Sequence, residues 1–119
     1  MPIELTLVGS FKEKITTLTS DSSINESSTE VTFFNHTWLQ PSVITRVKGT
    51  GPNENEIVIL GAHEDSIYNG ARGRAPGADD DGSGTATLME VFRVLMNSKD
   101  FRPKRTLEFH TYAGKVSLP

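Results

Sequence analysis

The chain has 119 residues, 35% hydrophobic and 23% charged, the balance of one small globular domain or part of a larger one, and this excludes disorder throughout. Twelve Lys and Arg against fifteen Asp and Glu give a net charge of -3 without a basic stripe, so nucleic acid is not an expected partner. Cysteine is absent, which removes disulfide frameworks, thiolate metal sites and cysteine nucleophiles together.

No window approaches the roughly 20 apolar residues that cross a bilayer, so no membrane partner is expected. Glu4, close behind Met1, breaks the pattern of a signal peptide. Asn25-Glu26-Ser27 and Asn35-His36-Thr37 are glycosylation triplets that matter only if a parent protein is secreted. Residues 1–30, with a Ser/Thr-rich run, have neither helical nor strand periodicity and read as a poorly ordered arm.

From Val31 the pattern sharpens. Val31–Phe34 and Ser42–Val47 are β-branched and aromatic and read as strands, with Pro41 between them. Gly49-Thr50-Gly51-Pro52-Asn53 is a turn. Ile57–Gly61 is a continuous apolar run, suited to a strand covered on both faces. A Gly-rich loop spans residues 64–81, and Asp81 or Ser83 can cap the helix that follows, where Leu88, Val91, Phe92, Leu95 and Met96 recur at helical spacing. Asn97-Ser98 and Pro103 end it, and Arg105–Tyr112 reads as a parallel strand completing a βαβ unit. Glu90, Arg93 and Asn97 form one narrow polar stripe, so the helix expects apolar cover on several sides.

Two stretches carry chemistry. Gly61-Ala62-His63-Glu64-Asp65-Ser66 lies at the carboxyl end of the buried strand, where ligands of open α/β sheets gather. A neutral imidazole there is a good zinc ligand, and the Asp65 carboxylate can take its other ring N–H. In Ala75-Pro76-Gly77-Ala78-Asp79-Asp80-Asp81-Gly82-Ser83-Gly84, three adjacent carboxylates between glycines are explained by a bound cation better than by a solvated helix cap. The register excludes an EF-hand, since Gly77 and Leu88 fall where carboxylates belong, and Thr87 breaks a dinucleotide fingerprint. Arg72 and Arg74 read as solvated, His36 and His110, within strand patterns and without ligand types nearby, as partly buried hydrogen-bonded residues, and Ser66 and Ser83 lack a base.

The two stretches, in this order and followed by Arg102-Pro103-Lys104-Arg105, resemble metallopeptidase family twenty-eight, the bacterial-type leucyl aminopeptidases and their secreted fungal relatives. The resemblance covers about Val31 to Gly114 and implies a partial zinc-exopeptidase α/β fold, of phosphorylase/hydrolase type, with a mixed sheet and missing flanking helices. It implies two zinc ions, with His63 a ligand of one, Asp80 bridging both, Asp65 orienting His63, and a cis peptide between Asp80 and Asp81. It also implies a peptide substrate shortened from its N-terminus.

The departures are as specific as the match. Tyr112-Ala113-Gly114 arrives where the family leads into Glu-Glu, the general base and a zinc ligand, but Lys115 and Val116 stand there instead. Glu64 places a charge beside His63 where relatives carry Leu or Gln, and a helical stretch is missing between Ser20 and Val31. The organisation read from this is an arm over 1–30, a partial peptidase domain over 31–114 and a non-family tail over 115–119. Such a chain is expected to be catalytically inactive and to self-associate through uncovered apolar surface. The alternatives are a non-catalytic α/β interaction module or an artefact of gene prediction.

Overall fold

Alternation along Ser42–Val47 organises the sheet. Val43, Thr45 and Val47 are buried on one face, and Arg46 emerges on the other. The computed structural model describes residues 29–36, 41–66 and 75–113. In it the strands are β1 (Thr29–Phe34), β2 (Ser42–Val47), β3 (Ile57–His63) and β4 (Thr106–Tyr112), with one helix, α1 (Ser83–Asn97), between β3 and β4. The sheet order is β1-β2-β4-β3. β1 and β4 run antiparallel to β2, and β3 runs parallel to β4. The mixed sheet with one βαβ unit is therefore present. β1 begins at Thr29 rather than Val31, and β3 runs on to His63. The rest of the arm and the tail lie outside the described residues.

The helix forms where its apolar spacing meets the sheet. Thr85, Leu88, Phe92 and Met96 are buried along one stripe. Phe92 meets Phe109 of β4 edge to face, with ring centroids 5.1 Å apart, in a core that includes Val43, Val47, Ala62, Leu88 and Met96. On the polar stripe Arg93 binds Glu90 through two hydrogen bonds, at 2.6 and 2.7 Å. Gly49 lets the β2–β3 turn press against the segment before β4: a Cβ there would lie 2.7 Å from the Arg105 carbonyl carbon.

The expectation for β3 is corrected. Its apolar run suggested cover on both faces, yet β3 is the edge of the described sheet. Ile57, Val58, Ile59 and Leu60 are 48%, 50%, 55% and 39% exposed. The physical reason is that α1 reaches Ala62 at the end of the strand but leaves Val58 and Leu60 open, while no described strand lies beyond. Val91 and Val94 of α1 are likewise open to solvent.

The sheet face away from α1 carries Glu108, which is buried, with Arg46 and His110 around it. The hydrogen bond from His110, and then Arg46, hold the Glu108 carboxyl below the usual carboxylate range against the opposing cost of burial. A depressed folded-state value stabilises the fold above the ordinary glutamate value, about 4.3, and that contribution is lost as pH falls through the lower folded value. Glu108→Gln should therefore lower the unfolding free energy near neutral pH, and the deficit should shrink as urea titrations are carried into acid. A deficit that stays constant from neutral to acid pH would contradict the assignment.

Candidate metal centre

The parallel strand β3 ends in His63, and the chain must then return to the start of α1. It does so through Gly77, whose φ of 58° is open to glycine without cost, and a turn over Ala78–Gly82 in which Asp80 and Asp81 leave helical φ/ψ, closed by the Gly82 N–H on the Gly77 carbonyl at 2.8 Å. The peptide between Asp80 and Asp81 is cis, in agreement with the resemblance.

Asp81 joins the two elements. Its Oδ2 accepts the His63 backbone N–H at 3.1 Å, and its Oδ1 accepts the Gly84 N–H at 2.9 Å, an unpaired donor of the helix start. Thr85 completes the joint by donating its hydroxyl to the His63 carbonyl at 3.0 Å. Gly84 is required by this contact, because a Cβ there would lie 2.0 Å from Asp81 Oδ1. The three aspartates thus divide their tasks. Asp79 lends its carbonyl to the Ser83 hydroxyl, Asp81 is structural, and Asp80 turns its carboxylate to His63.

His63 Nε2 lies 2.9 Å from Asp80 Oδ1, and Nδ1 lies 2.9 Å from the Asp65 main-chain carbonyl. A carbonyl oxygen only accepts, so Nδ1 carries the hydrogen, and a neutral ring presents its Nε2 lone pair to a carboxylate oxygen. Two acceptors at that distance are reconciled by a proton on Nε2 or by a shared cation. Nitrogen and carboxylate oxygen are zinc donors, so the pair fits zinc as part of its ligand set. Among the described residues, no group of three or more His, Cys, Asp or Glu side chains is poised to hold a metal.

Three sequence expectations need restating. The ring of His63 is oriented by the Asp65 main chain, whereas the carboxylate oxygen stands 3.7 Å from Nδ1, because the turn after β3 brings the carbonyl nearer. His36 bonds Ser42 Oγ at 2.7 Å as expected, but it lies beyond the end of β1 rather than within a strand. His110 does have a potential ligand type beside it, Glu108 at 2.7 Å, and also Tyr112 at 2.9 Å. Reading β4 at period two would have found this file, since residues 108, 110 and 112 share one face. Lys115, Val116, Arg72 and Arg74 lie outside the described residues.

A mixed sheet that brings an imidazole and a carboxylate together at the carboxyl end of a parallel strand places them where α/β domains gather their ligands. The chain belongs to Peptidase family M28, whose sequence pattern matches residues 42–114. It is 51% identical over 87 residues to leucine aminopeptidase 1 of Fusarium vanettenii, covering 69% of this chain and 21% of that protein. With leucine aminopeptidase 1 of Sclerotinia sclerotiorum the identity is 40% over 108 residues, covering 87% of this chain and 27% of that one. The crystal structure of LapB from Legionella pneumophila superposes with a TM-score of 0.68 at 32% identity, over 88% of this chain and 27% of LapB. The chain thus spans about a quarter of the length of these relatives.

Asp81→Ala removes two of the three hydrogen bonds of the joint and should lower the unfolding free energy by about 1–2 kcal/mol, the upper range for loss of a helix cap. Urea unfolding of the two chains measures it, and equal midpoints would mean that the joint contributes nothing.

Proposed function

We propose that the chain carries part of the metal site of a zinc-dependent aminopeptidase that removes N-terminal residues from peptides. The observation that carries this reading is the convergence of His63 Nε2 and Asp80 Oδ1 at 2.9 Å in a chain of this family. The names of the fungal relatives support the reaction class.

In this reading His63 and Asp80 hold the metal, with Asp80 shared between two ions, and Asp65 sets the ring of His63. Zinc bound there would supply the Lewis acidity that amide hydrolysis needs. His63 can offer Nε2 because Nδ1–H is committed to the Asp65 carbonyl, and Asp80 stays within reach because Asp81 ties the turn to β3. Residues 31–114 form the partial peptidase domain. The resemblance to secreted fungal enzymes supports a secreted parent. Among the described residues no helix is long and apolar enough to cross a membrane.

The 119-residue chain does not catalyse by itself in this reading. Two described donors fall short of the three protein ligands that a catalytic zinc ordinarily has. Lys115 and Val116, where the family places its base and a ligand, can serve as neither at neutral pH. The exposed apolar residues of β3, with Val91 and Val94, support self-association as the fate of the uncovered surface.

Assay of leucine p-nitroanilide with and without a chelator separates these readings. Neither the chain nor its Lys115→Glu, Val116→Glu double variant should turn over substrate. A chain that carries family-like sequence between Ser20 and Val31 and continues with family-like sequence after Gly114 should give chelator-sensitive cleavage. Turnover by the double variant would show that further ligands are dispensable, and failure of the extended chain would count against the aminopeptidase reading. On a sizing column the unmodified chain should elute as an oligomer; a monomer would remove self-association.

A further inference from the structure

On the sheet face away from α1, Glu108, His110 and Tyr112 stand two residues apart along β4 and form a file of hydrogen bonds that advances toward the end of the strand. Arg46 of β2 grips Glu108 Oε1 through Nη2 at 2.5 Å and Nε at 2.7 Å. The other oxygen, Oε2, lies 2.7 Å from His110 Nε2. An ionised carboxylate only accepts, so Nε2 carries a hydrogen, and in the neutral ring Nδ1 is left to accept the Tyr112 hydroxyl at 2.9 Å. Glu108 thereby sets the tautomer of His110, and His110 sets the direction of Tyr112.

Where Tyr112 is directed matters. Its ring is drawn back over Gly61, close enough that a Cβ at that glycine would lie 2.8 Å from Tyr112 Cε2 and 3.2 Å from the hydroxyl oxygen. Gly61 is two residues before His63 on the same face of β3, and the register pairs His63 with Tyr112 itself. The Tyr112 carbonyl also accepts the Glu64 N–H at 2.9 Å, immediately beyond His63. The end of β3 is thus held from both sides, by Asp81 and Thr85 on the helix side and by the Tyr112 ring and carbonyl from β4. A glycine at position 61 is what leaves room for the ring.

We propose that Glu108, His110 and Tyr112 are positioning residues for His63: they seat the Tyr112 ring on Gly61 and so fix the end of β3 from which the His63 imidazole projects. This rests on the reading of His63 as a metal ligand, to which it adds the device that keeps the ligand in place. A file that only filled the sheet face would leave His63 indifferent to the Tyr112 hydroxyl. A positioning file makes His63 answer to it.

The test uses the complete, metal-free chain, labelled for NMR at histidine, glycine and phenylalanine. Tyr112→Phe removes the hydroxyl bond and keeps the ring. Gly61→Ala displaces the ring from the other side. In both, the His63 ring signals should move or broaden, and in Tyr112→Phe the Gly61 Hα protons should also lose their ring-current shift. The Phe92 and Phe109 signals should stay in place, as the core is untouched. In Tyr112→Phe, His63 and Gly61 signals unchanged from wild type would overturn the proposal, and so would a Gly61→Ala chain whose core is intact and whose His63 is unmoved. Because no metal is present, these results stand whatever added zinc does to His63 in the unmodified chain, which is the separate test of its ligand role.

Discussion

One carboxylate joins the two elements on which the site is built. Asp81 receives the N–H of His63 from the strand and the N–H of Gly84 from the helix, so the end of β3 and the beginning of α1 share an anchor. The geometry around it follows. Gly84 is confined to a residue without a side chain, Thr85 reaches the His63 carbonyl, and Asp80, next in the chain, is delivered to the imidazole. The backbone donors at a helix start must find partners, and here one of them is satisfied by a side chain that also pins the candidate ligand.

Around that joint the sheet works as a ruler. β3 and β4 run parallel and in register, so that Gly61 faces His110 and His63 faces Tyr112. The helix side of the sheet packs about Phe92 and Phe109, whereas the other side places Arg46, Glu108 and His110 in contact. The outer edge of β3 has neither. Its exposed Ile57–Leu60 and the open Val91 and Val94 have the composition of an interior and the surroundings of a surface, which fits a chain that spans about a quarter of its relatives' length.

Much of this was legible in the residues. Period-two runs located the strands, the spacing of Leu88, Phe92 and Met96 located the helix, and the paired stretches around His63 and Asp80 pointed to the site and to the family. The division of labour among Asp79, Asp80 and Asp81 was not legible, because it depends on a turn that sends adjacent carboxylates in different directions. Asp65 acts through its main chain, which no side-chain pattern can announce. The cover of β3 was not legible, because an apolar run records the need for burial and does not say which neighbour supplies it. The Glu108–His110–Tyr112 file is legible only when His110 is taken with its neighbours at two-residue spacing, because the single histidine carries no sign of it.

The central claim is that His63 offers Nε2, and not Nδ1, toward a cation it shares with Asp80. Zinc titration of the chain with its histidine side chains labelled with nitrogen-15 tests this most directly. The account predicts that zinc shifts the His63 Nε2 resonance while Nδ1 keeps its hydrogen, that His36 and His110 are unmoved, and that Asp80→Ala weakens the response. A response at Nδ1 of His63, or one that spares His63 and appears at His36 or His110, would contradict it.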